Sequence, residues 1–150
     1  MCLILLAWRV DRARTFIVAA NRDEFHARPA ATAAFWKDSP GILAGRDLEA
    51  GGTWMGVSRS GRFAAVTNYR GGKDVNAKTS RGALVTGFLL AADPESFLAE
   101  TEKTKAGYSG FNLLVSDGKA LWWLSNRDGG SGKLEPGIYG LGNLLLDTPE

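Results

Sequence analysis

A chain of 150 residues, 45% hydrophobic and 23% charged, has the size and composition of one globular domain with a sizeable core. Its net charge of +2 comes from 18 basic and 16 acidic residues interspersed along the chain. No large single-sign field results, so nucleic acid is not an expected partner. A single cysteine excludes an internal disulfide, and one cysteine with one histidine does not make a metal cluster, so no metal or other cofactor is expected.

The opening run Met1-Cys2-Leu3-Ile4-Leu5-Leu6-Ala7-Trp8 is short and ends at Arg9. It has neither a basic n-region nor a small-residue cleavage site, so it does not read as a signal peptide. No stretch reaches the ~20 apolar residues that span a bilayer, so a cytoplasmic protein with no membrane span is expected. Residues 3–10 fit a buried strand and residues 15–20 its hairpin partner across the polar turn Asp11-Arg12-Ala13-Arg14. That hairpin returns the chain beside Cys2. A second hairpin pairs residues 53–58 with 63–68, and a loop through Arg70-Gly71-Gly72-Lys73 runs to Ser80.

From Gly82 the period changes. Leu84, Val85, Phe88 and Leu89 fall at helical spacing, with Ser80 as the expected N-cap. Asp93-Pro94-Glu95 opens a second helix, capped by Asp93, that carries Phe97 and Leu98 and ends near Gly107. Residues 111–115 and 120–124 form strands about the turn Asp117-Gly118-Lys119, and residues 137–141 add another. The order of strands, two helices and strands predicts one α+β domain over residues 1–150, with antiparallel sheet and helices segregated to a face.

Cys2 stands directly behind Met1. If Met1 is removed, thiol and α-amine share one residue. An α-amine titrates near ~8 and a thiol near ~8.5, so the amine can take the thiol's proton. That is nucleophile and base in one residue. On position alone, an apolar cysteine opening a strand is the commoner role. The polar cluster Asn21-Arg22-Asp23-Glu24, followed by Phe25, His26, Arg28 and Pro29, lies at the hairpin end nearest Cys2. It would usually be a solvated turn, but a carboxylate there can orient the α-amine, and Asp23 has the shorter, stiffer side chain. His26 has no local signature that pairs it with Cys2, and an exposed role is expected. Asn68, at the end of a strand, is an oxyanion-hole candidate or a turn residue. Asn143 follows Gly140-Leu141-Gly142, where backbone can approach a ligand closely.

Met1-Cys2-Leu3-Ile4, Ala20-Asn21-Arg22-Asp23-Glu24-Phe25 with Arg28-Pro29, Gly52-Thr53-Trp54 with Gly56, Thr67-Asn68-Tyr69-Arg70, Ser80-Arg81-Gly82, and Gly140-Leu141 with Asn143 and Leu146-Asp147-Thr148-Pro149 together resemble the NRDE protein family. That family is also called the transport-and-Golgi-organisation family. It is similar to N-terminal-nucleophile hydrolases, above all the penicillin V acylase and bile-salt hydrolase branch. The resemblance implies a four-layer αββα sandwich and hydrolysis of a non-peptide C–N amide. By position, Cys2 would be the nucleophile, Asp23 the aspartate at its amine, Asn68 an oxyanion donor and Asn143 a second asparagine near the nucleophile. Asn21, Arg22, Phe25 and Trp54 would contact substrate, with Phe35 and Trp36 as further pocket walls.

Two features depart from the branch. Ala20 stands where the branch has an arginine. Family members also continue for about a hundred more residues, a length nearer that of a full sandwich domain. The chain is therefore expected to lack C-terminal elements and to expose sheet edges that favour homo-oligomers. The alternative from a different class is a non-catalytic carrier of a lipid, acyl or haem ligand.

Overall fold

The computed structural model describes residues 1–71, 77, 79–127 and 130–149. It is a mixed α+β fold. A seven-stranded antiparallel meander runs β3 (Ala30–Phe35), β4 (Ile42–Asp47), β5 (Met55–Ser58), β6 (Phe63–Asn68), β7 (Phe111–Ser116), β8 (Leu121–Ser125) and β9 (Ser131–Lys133). A smaller sheet places β1 (Leu3–Trp8) between β2 (Phe16–Asn21) and β10 (Gly137–Leu141), both antiparallel to it. The helices α1 (Gly82–Leu90) and α2 (Pro94–Thr104) are inserted between β6 and β7, and a short 3-10 turn over Lys105–Gly107 follows.

Alternation along the strands builds two cores on the two faces of the large sheet. On one face Ala64, Val66, Leu113 and Val115 meet Leu84, Val85, Phe88 and Leu89 of α1. Gly56 lets this helix come close, because a Cβ there would lie 3.1 Å from Leu89 Cδ1 and 2.8 Å from Ala44 Cβ. On the other face Phe63, Ala65, Leu114 and Leu121 meet Ile4, Leu6, Trp8 and Leu141 of the small sheet. The small sheet is therefore buried on one face only. Its outer face carries Leu5, Ile17 and Ile138, which are 50%, 41% and 74% exposed.

The expected β1–β2 hairpin, the strands at residues 63–68, 111–115 and 120–124, and both helices form much as the periodicity predicts. Asp93 caps α2, its carboxylate accepting from Ser96 N at 2.7 Å, with Pro94 in the first turn. Ser80 is not the cap of α1. The N-cap position falls on Arg81 with no side-chain cap bond, while Ser80 Oγ accepts from Gly82 N at 3.3 Å in the preceding turn. The strands β3, β4 and β9 are additions to the sequence reading. Of the loop expected after Asn68 and running to Ser80, residues 72–76 and 78 lie outside the described set. Among the described residues no helix is long and apolar enough to cross a membrane.

Candidate active site at the open end of the small sheet

Three strand ends converge beside Cys2. The register of β1 with β2 sets Leu3 opposite Asn21, so Asp23 lies just past the hairpin mouth. The register of β1 with β10 sets Ile4 opposite Leu141, which brings Asn143 alongside. Asn68 arrives from the end of β6 in the other sheet.

The contacts follow from that convergence. Cys2 N donates to Asn143 Oδ1 at 3.1 Å. Cys2 Sγ accepts from Asp23 N at 3.3 Å. The Met1 ammonium pairs with the Asp23 carboxylate, which holds that carboxyl below the usual range by hydrogen bond and by charge. Asn21 Nδ2 donates to Met1 O at 2.9 Å. Asn143 Nδ2 donates to Asn68 O at 2.8 Å, and Arg70 N donates to Asn143 O at 2.6 Å, so this residue ties the small sheet to the large one.

One residue that the sequence reading gave no role sits behind the site. Asn112 is fully buried, and its Nδ2 donates to Leu144 O at 2.7 Å and to Thr67 Oγ1 at 3.4 Å. It anchors the turn that presents Asn143. A lone amide inside the apolar run Phe111-Asn112-Leu113-Leu114-Val115 was the available signal. Arg81 is the other addition; it lines the cleft, and no local pattern in the sequence gives it a role of its own.

The strand ends open into a cleft of about 1170 Å³, lined among others by Cys2, Arg22, Phe25, Trp54, Asn68 and Arg81. Phe25 is 85% exposed at its rim. Asn21 is not part of the lining; its amide holds the Met1 carbonyl instead. Phe35 and Trp36 do not line it either. Trp36 is buried in the helix-side core with Nε1 donating to Ala44 O, and Phe35 lies under Arg59 on the outer surface. The cause is the edge strand β3, which ends at Phe35 and leads into Trp36 and which the sequence alone does not foretell. His26 is exposed. Among the described residues no group of three or more His, Cys, Asp and Glu is placed to hold a metal ion.

Several of the cleft's charges are paired within the protein. Arg22 pairs with Glu24 at 3.2 Å. Arg28 pairs with Asp47 at 2.7 Å and with Glu49 at 3.4 Å, and the Asp47 bond raises its pKa further. Burial alone pushes the Asp47 carboxyl up, but Arg28 and the backbone N–H groups of Ala50 and Glu49 outweigh it and leave it below the ordinary range.

A family model described as Transport and Golgi organisation 2 matches residues 1–150. The chain belongs to that family. The human Transport and Golgi organization protein 2 homolog is 42% identical over 163 residues, covering 99% of this chain and 59% of the relative. The mouse homolog is 40% identical with the same coverage, and the Drosophila protein 33% identical over 89% of this chain and 53% of its own length. The chain thus spans somewhat under two thirds of these relatives.

Proposed function

We propose that this chain carries the nucleophile of an N-terminal-nucleophile amidohydrolase that cleaves a non-peptide C–N amide once Met1 is removed. The observation that carries the reading is the arrangement at Cys2. Its nitrogen sits on Asn143 Oδ1, its sulfur accepts from Asp23 N, and the Asp23 carboxylate already holds the chain's ammonium group. After Met1 leaves, the Cys2 nitrogen becomes the α-amine, with Asn143 to orient it and Asp23 to favour its charged form.

In this reading the α-amine takes the Sγ proton and the thiolate forms a C–S bond to the amide carbon. The carbonyl oxygen gains charge, which Asn68 and a backbone N–H stabilise. The C–N bond then breaks, and the leaving amine takes a proton from the α-ammonium group. Water, deprotonated by the α-amine, attacks the thioester, releasing the acid and restoring the thiol. Trp54, Phe25 and Arg22 of the cleft contact substrate. The bare apolar outer face of the small sheet supports a four-layer αββα sandwich, in which a second helical layer covers it. Cytoplasmic location and self-association belong to the same reading.

The test is the intact mass of untagged protein before and after treatment with a β-lactone. The expected result is loss of Met1 and one adduct, absent from Cys2→Ala, with turnover of N-acyl amides partly retained in Cys2→Ser. Retained Met1 with no adduct overturns the reading and favours the carrier alternative, to be tested by bound lipid, acyl or haem ligand.

A further inference from the structure

We infer that Arg81 is the anchor for a carboxylate carried by the ligand of the Cys2 cleft. The inference names the substrate class of the proposed amidohydrolase and rests on that reading only for where the scissile bond lies.

The argument is one of unmatched charge. Of the other arginines that line the cleft, Arg22, Arg28 and Arg46 reach carboxylates of the protein itself and Arg70 has a partner of its own, while Asp23 is taken by the ammonium group. Arg81 is half-buried and pairs with no carboxylate among the described residues. Among the described residues its guanidinium makes one hydrogen bond, from Nη1 to Gly110 O at 3.0 Å, which leaves the rest of a five-donor fork without a protein oxygen there. A guanidinium fork matches a carboxylate in geometry and charge. Burial costs this cation free energy; attraction to Glu24 and to a Cys2 thiolate offsets part of the cost, and repulsion by Arg28 adds to it. Arg81 and Cys2 line the same cleft.

The backbone next to Arg81 is held in place by close packing. Gly52 and Gly82 touch so closely that a Cβ on Gly52 would lie 2.9 Å from Gly82 C, and one on Gly82 would lie 3.0 Å from Thr53 O. The start of α1 is thus pressed onto the cleft wall. Its first amides are already used, since Gly82 N donates to Ser80 Oγ, Ala83 N to Ser80 O and Leu84 N to Arg81 O. The guanidinium, not the helix end, is the free donor.

The experiment measures calorimetric binding to the Cys2→Ala chain of two matched pairs: N-octanoylglycine against N-octanoylglycinamide, and N-octylsuccinamate against N-octylsuccinamide. The pairs place the carboxylate on the amine side or the acyl side. The expected result is that at least one acid binds about tenfold or more tighter than its neutral amide. Arg81→Gln is expected to abolish that preference and Arg81→Lys to keep part of it. Should Arg81→Gln fail to fold, protection of Arg81 from phenylglyoxal by the preferred acid, and not by its amide, is read by peptide mass in the Cys2→Ala protein. No preference in either pair, a preference that survives Arg81→Gln, or an unprotected Arg81 overturns the inference. A preference that depends on Arg81 in a protein whose Cys2 takes no β-lactone supports it while sinking the amidohydrolase.

Discussion

The two faces of the seven-stranded sheet are covered by layers of different kinds. On one face, α1 and α2 lie close in sequence to the strands they pack on, and Phe88, Val85 and Leu113 are fully buried. On the other, β1 and β10 come from opposite ends of the chain to form a three-stranded sheet whose outer face stays open. The candidate site stands at the end of this second layer. What the difference teaches is that the helix-side core supplies stability, while the sheet-side core supplies position for Cys2, Asp23 and Asn143.

The largest expected effect separates the two cores. Phe88→Ala should lower unfolding free energy by about 3–5 kcal/mol, and Leu6→Ala by about 2–5 kcal/mol, both read by urea denaturation. Their local signatures should differ. Leu6→Ala should speed hydrogen exchange in β1, β2 and β10 and slow the reaction of Cys2 with electrophiles; Phe88→Ala should leave both unchanged below its transition. Equal loss of Cys2 reactivity in the two variants would break the division of labour.

Next comes the ion pair at the cleft floor. Arg28→Met should cost about 1.5–3 kcal/mol at neutral pH, the range for hydrogen bonds to charged groups. The sign with pH is definite. The folded pKa of Asp47 lies below its unfolded value near ~3.9, so its stabilisation is present above that pH and is lost as pH falls through the folded value. With Arg28 gone, burial is left opposed only by the backbone bonds, and the acid-limb slope of stability against pH should flatten. An unchanged slope in thermal melts at pH 3 to 6 would remove Arg28 as the partner that matters.

A third, similar or smaller effect tests the glycine contact. Gly52→Ala places a methyl against the Gly82 backbone, which cannot yield as a side-chain tip can. Overpacking of this kind costs about 1–3 kcal/mol. The variant should also lose preference for a carboxylate ligand as the start of α1 moves. Loss of stability with the preference intact would separate the packing of α1 from the placing of Arg81.

The same contrast explains what was legible in the sequence. The helix side was readable because its signals are local: the spacing of Leu84, Val85, Phe88 and Leu89, and the cap at Asp93 before Pro94. The β1–β2 hairpin and the proximity of Cys2 to Asp23 were readable for the same reason. The strand β3 was not, because Ala30, Ala31, Ala33 and Ala34 have little β-preference and the strand is held at an exposed edge by pairing with β4. The hidden part of the site is long-range. The bond of Asn112 to the Leu144 carbonyl and the reach of Arg81 to Gly110 depend on residues 32 and 29 positions away, and no local spacing encodes them.

The smallest expected effect is the most discriminating for the comparison. Asp93 caps α2 on the helix side, with its carboxyl held below the usual range by Ser96. Asp93→Ala should lower stability slightly, through loss of one helix cap, read as a small drop in the midpoint of urea denaturation. Asp93 lies outside the cleft lining, and the layer it serves is separated from Cys2 by the large sheet. The rate of β-lactone addition and carboxylate binding should therefore match the parent protein at any temperature where both are folded. A Cys2 rate that fell with the loss of this cap would mean that the helical layer transmits order through β6 and β7 to Asn68 and Asn143. The site would then depend on both cores, and the small sheet alone would not account for its geometry.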